Sequence, residues 1–191
     1  LAVGAQAQVK YGIKAGLNFP KLFMKETEGN ISVSATTKAS TSFYVSGYAN
    51  IEAAPNFAIQ PGISYQGKGG IIDDLDEDVT MKFMSIEIPV NLIYYLPVGN
   101  TGSFFIGAGP YVGFNVSAKA KLGNIEGKVD IGSNEDDIKM LDYGANFQLG
   151  YKLTNGFLIN GGYGLGLGNL ANSNDGKLNN RVFSFGVGFE F

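Results

Sequence analysis

The chain has no histidine and no cysteine, so the side chains that most readily move protons near neutral pH or attack an acyl carbon are missing. A Ser/His/Asp or Cys/His arrangement cannot be built from it. Carboxylates remain for acid–base work, and Glu87 with Asp142 is the one candidate pair on the polar side of patterned segments. Such a pair acts catalytically only in a cleft that drives the two pKa values apart. Their plainer reading is as partners of buried cations, and no enzymatic activity and no cofactor are expected.

Two other motifs invite a chemical reading. The run Asp73-Asp74-Leu75-Asp76-Glu77-Asp78 gathers the hard oxygen ligands that Ca²⁺ prefers. It lacks the glycine and the spacing of an EF-hand loop, so Asp73, Asp74, Asp76 and Asp78 are a weak metal candidate and a solvated loop is the expected role; Asn134-Glu135-Asp136-Asp137 is read the same way. Gly162-Tyr163-Gly164-Leu165-Gly166-Leu167-Gly168 looks like a phosphate-binding loop, but its glycines fall at every second residue and no helical pattern follows. A glycine-lined strand explains it better.

These residues sit on segments that alternate with a period of two from Val9 to the end. Eight segments are expected as strands: 9–19, 42–53, 57–66, 81–96, 103–117, 138–153, 157–168 and 181–191. In each, one face is apolar, such as Val9, Tyr11, Ile13, Ala15 and Leu17, and the other is polar or glycine, such as Lys10, Gly12, Lys14, Gly16 and Asn18. The intervening stretches alternate in length, long over 20–41, 67–80, 118–137 and 169–180, short at Ala54-Pro55-Asn56, 97–102 and Thr154-Asn155-Gly156. That is the up-and-down order of a closed barrel with all long connections at one end.

What occupies the second face decides which kind of barrel this is. A soluble sheet would carry Lys, Glu and Thr there, whereas this face is crowded with glycine, which weakens a strand unless curvature or close packing calls for it. A narrow eight-stranded barrel calls for both. The fold expected is therefore all-β, an eight-stranded antiparallel up-and-down transmembrane β-barrel, with the apolar face toward lipid and Tyr44, Tyr48, Tyr111 and charges inside. Segments of about 9–11 tilted residues suffice to cross the hydrocarbon layer, and closure leaves no unpaired edge in lipid.

The interior charges expected are Lys10, Lys14, Lys152 and Arg181 against Glu52, Glu87, Asp142 and Glu190. A lone buried charge costs far more than a pair, so Glu87 is expected to contact a Lys or Arg across the lumen. With 14 basic and 17 acidic residues the net charge is −3, which argues against nucleic acid as a partner. Residues 1–7, ending in Ala5-Gln6-Ala7, are expected to be the remnant of a secretory signal peptide, and 8–191 a single barrel domain.

Three motifs carry a family likeness: Tyr11-Gly12-Ile13-Lys14-Ala15-Gly16-Leu17-Asn18, Ile86-Glu87-Ile88-Pro89-Val90, and Gly107-Ala108-Gly109-Pro110-Tyr111. With them, the chain resembles outer-membrane β-barrel proteins of the PorT-like group, similar in size to the OmpX and OmpA type. The resemblance implies the outer membrane of a Gram-negative bacterium, and contact with outer-membrane lipid, lipopolysaccharide and neighbouring envelope proteins. It also implies that Phe183, Phe185, Phe189 and Phe191 form a C-terminal signal for the outer-membrane assembly machinery. The function expected is structural or interaction-based, through the long loops over 21–41 and 119–137. Two alternatives stand beside it: a narrow pore for water, ions or very small solutes, and a soluble lipocalin-like lipid carrier with the apolar face turned inward.

Overall fold

A computed structural model describes residues 8–28, 31–73, 78–123, 125–134, 137–172 and 176–191. The proposed leader remnant, residues 1–7, lies outside the described residues. The strands are β1 (Val9–Glu28), β2 (Ile31–Thr36), β3 (Ser42–Ala54), β4 (Phe57–Ile72), β5 (Val79–Val98), β6 (Gly102–Leu122), β7 (Ile125–Val129), β8 (Leu141–Leu153), β9 (Phe157–Gly166) and β10 (Gly176–Glu190). Eight of them pair antiparallel in the circular order β1-β3-β4-β5-β6-β8-β9-β10, closed by β10 on β1. The two short ones lie outside the circle, β2 folding back on β1 and β7 on β6.

The alternation that defines the strands also sets their faces, because successive side chains point to opposite sides. Phe147, Phe185 and Phe189 are exposed on the outside, while Lys14 and Glu87 are buried within. An inward-facing apolar carrier has the reverse arrangement. Interior glycines lie where rings cross the wall: a Cβ on Gly12 would clash with the Tyr48 ring, and one on Gly144 with that of Tyr111.

Several expected boundaries move. The stretch 67–80 is not all loop, since β4 runs on to Ile72 and β5 begins at Val79. Likewise β1 continues to Glu28, β6 to Leu122, and β10 starts at Gly176 rather than Arg181. The barrel walls thus rise well beyond the predicted span at one end, because cross-strand hydrogen bonding continues after the apolar face stops. At the other end the turns are tight, with positive φ at Asn56 (65°) and Gly156 (92°). Prolines in mid-wall interrupt the ladder: the β4–β5 register skips from Pro61↔Val90 to Ser64↔Glu87, and the β5–β6 register from Pro89↔Tyr111 to Leu92↔Ala108.

Candidate functional site

The lumen is filled in layers. Nearest the short turns, the Lys152 ammonium donates to Glu190 at 2.5 Å and lies 4.5 Å from the Tyr95 ring centre. Tyr95 in turn donates to Asn50 at 3.1 Å. Above this, Lys14 donates to Gln60 (3.0 Å) and Gln148 (2.8 Å), with its ammonium over the Tyr48 ring. Tyr48, Ala58, Ile93, Phe105 and Leu158 pack the same level as a small apolar cluster. Higher still, Lys68 bridges Glu87 and Asp142, the latter at 2.7 Å. The Tyr111 hydroxyl also donates to Asp142, at 3.3 Å.

Lys68 was absent from the expected charges, yet it is the centre of the most buried group: its side chain and that of Glu87 are each 2 % exposed, and Asp142 is 0 % exposed. The cation facing Glu87 comes from the neighbouring strand β4, not from the far wall, while Asp142 reaches the same ammonium from β8. Two carboxylates on one ammonium keep each buried charge compensated.

Three expected lumen charges lie elsewhere. Lys10 and Glu52 are exposed, at the barrel mouth beside the short turns. Arg181 faces outward, because it shares the odd-numbered register of Phe183 and Phe185 and pairs with Lys21 and Leu165. Its guanidinium lies 4.3 Å from the Phe23 ring centre. The terminal aromatics Phe183, Phe185, Phe189 and Phe191 are all exposed on the outer wall.

The end opposite the short turns carries a lid. Leu22 and Phe83 from the walls meet Ile138 and Leu170 from the connections, and all four are buried with Ala118. The lid is tied down by backbone bonds, Lys139 N–H donating to the Leu170 carbonyl and Leu170 N–H to that of Leu178. Asn169 Oδ1 accepts from the N–H groups of Ala171 and Leu178. Asn172 Nδ2 reaches the carbonyls of Gly132, Asn134 and Asp137. Between the lid and the Lys14 layer lies a polar cavity of about 110 Å³, bordered by Asn18, Gln66, Lys68, Asn146 and Asn160. It has room for a few waters and is far smaller than a drug-sized binding pocket.

Of the acidic run, Asp74 and Asp76 lie outside the described residues. Asp73 instead pairs with Lys38 at 2.7 Å on the exposed surface. That hydrogen bond holds the Asp73 carboxyl below the usual carboxylate range and raises Lys38. Among the described residues, no group of three or more His, Cys, Asp or Glu side chains could hold a metal.

Several solved structures are similar to the chain. The outer membrane protein OprG from Pseudomonas aeruginosa is similar, with 14% identity, 97% of each chain covered and a TM-score of 0.56. Neisserial surface protein A has 14% identity over 95% of this chain and 97% of its own, at a TM-score of 0.49. The attachment invasion locus protein Ail of Yersinia pestis has 12% identity over 93% and 98%, at 0.41. No curated protein matches the chain. The model of the outer membrane protein β-barrel domain matches residues 5–172, and together with the closed barrel and its apolar outer wall this makes the chain a member of that family, a protein of the Gram-negative outer membrane.

Proposed function

We propose that this protein is a closed, non-catalytic barrel with a structural or interaction role, working through the extensions at the end opposite its short turns. In outer-membrane barrels the long connections face outward from the cell. The observation that carries this reading is the stacking, among the described residues, of three polar layers and an apolar lid in one narrow lumen. Its partners are then lipid, lipopolysaccharide and neighbouring envelope proteins met from outside. The exposed phenylalanines Phe183, Phe185, Phe189 and Phe191 serve its delivery by the assembly machinery.

Single-channel recording of the purified protein in planar bilayers tests the reading. Silence is expected; a steady, reproducible conductance would overturn it. The narrow-pore alternative draws its support from the polar cavity beside Lys68.

A further inference from the structure

On the outer wall above the apolar band, lysines stand in one rung. Lys82 of β5 pairs with Lys119 of β6, and Lys119 with Lys128 of β7. All three are exposed. Their neighbours Phe83, Ala118 and Val129 pack under the lid, so alternation turns the three ammonium groups outward. Two residues further along, Lys121 shares this face, paired with Thr80 on one side and Glu126 on the other.

Like charges directly opposite one another in a sheet repel, and the carboxylate nearby does not balance this rung. Glu126 pairs with Lys119 at 2.6 Å, and it also feels Lys121 and Lys82. Four cations therefore gather around one ion-paired carboxylate, Glu126, with exposed Asp130 two residues beyond Lys128. Directly below, Met84 and the bulged pair Val116 and Ser117 end the apolar wall. The rung thus lies where hydrocarbon gives way to head groups.

We propose that Lys82, Lys119 and Lys128 form a binding site for the phosphate of a phosphorylated lipid head group in the outer leaflet. Lysine is a compact point charge suited to phosphate, and a dianion against three ammonium groups removes their mutual repulsion. Charge complementarity and continuity with the lipid-facing wall single out a membrane lipid over a soluble polyanion. This site gives a ligand to the outer extension containing β7 and rests on the outward orientation proposed above; conductance leaves it untouched, so the two readings fail separately.

The test uses the full chain folded in detergent and titrated with a diphosphorylated glucosamine lipid, its dephosphorylated form, and inorganic phosphate. The wild type is expected to prefer the phosphorylated lipid, and the K82Q/K119Q/K128Q variant to bind it about tenfold more weakly. Binding of the dephosphorylated lipid should not change. K10Q, at the opposite mouth, should match wild type, and heat-modifiable migration reports folding of each variant. Should the triple variant fail to fold, K82Q alone and added salt take its place, each expected to weaken wild-type-like binding. Equal binding of the two lipids, an unaltered triple variant or an absence of salt dependence would overturn the proposal. Displacement of the lipid by millimolar inorganic phosphate would reassign the site to free phosphate and overturn the lipid assignment.

Discussion

Lys68 lies between two carboxylates at the heart of the barrel, whereas Lys82, near in sequence and one residue from a buried phenylalanine, faces two further lysines along its rung. Inside, Lys68 is matched by Glu87 and Asp142 and Lys152 by Glu190, while Lys14 is held by the amide oxygens of Gln60 and Gln148 beneath the Tyr48 ring. Outside, cations gather without such matching; Lys21 with Arg181 and Lys25 with Lys177 are opposed in register on the β1–β10 flank as well. The difference follows from solvent. A buried charge must find its counter-charge or hydrogen-bond partners within the fold, while one at the membrane surface can leave that task to water and head groups.

The largest test of this contrast is Lys68→Met. It strands Glu87 and Asp142, both buried, without a cation, and a loss of about 3–5 kcal/mol is expected from denaturant unfolding in lipid vesicles. The triple variant K68M/E87Q/D142N, which removes all three charges together, should recover much of that loss. If Lys68→Met unfolds like wild type, the interior is wetter than its packing implies and the contrast fails.

Lys152→Met should cost less. Lys152 keeps 18 % of its side-chain surface exposed, so water entering from the mouth can solvate Glu190 once the lysine is gone. About 1–2 kcal/mol is expected in the same unfolding assay, and a cost matching that of Lys68→Met would show that depth in the lumen does not set the value of an ion pair.

On the outer wall the sign should change. In neutral detergent without phosphorylated lipid, Lys82→Gln relieves repulsion from Lys119, so stability should hold or rise by a few tenths of a kcal/mol. A clear loss of stability there would mean that the outer lysines are held by partners within the chain, as the inner ones are.

Most of the barrel could be read from the alternation alone, because period two encodes both the strand and its face. Lys68 escaped that reading although it continues the inward series Ser64, Gln66. Gly67 and Gly69 stand where apolar residues would have marked the outward face, and with Gly70 they imitate a turn. Arg181 shows the opposite case: its parity with Phe183 already places it outward, and only its charge suggested the lumen. The lid was not legible. Leu22 and Leu170 lie in stretches expected as loops and Ile138 at the edge of the sixth expected strand, and only the folding of two connections over the mouth brings them together.

The smallest effect concerns Lys38 and Asp73, a pair formed within the protein but on its surface, and so intermediate between the two classes. The hydrogen bond to Lys38 lowers the Asp73 carboxyl and raises the Lys38 ammonium. For a carboxyl depressed in the folded state, the stabilising contribution is present above its ordinary titration range and fades as pH falls through the lowered folded value. For Lys38 it is present below the ordinary lysine range and fades as pH rises through the raised value. An NMR titration of the Asp73 carboxyl should therefore show its midpoint rise toward the ordinary range in Lys38→Gln. Both side chains are exposed, so solvent screening leaves global unfolding the same at pH 5 and pH 8. An unmoved midpoint would mean that Lys38 does not set the titration of Asp73 and belongs with the unmatched cations of the outer wall.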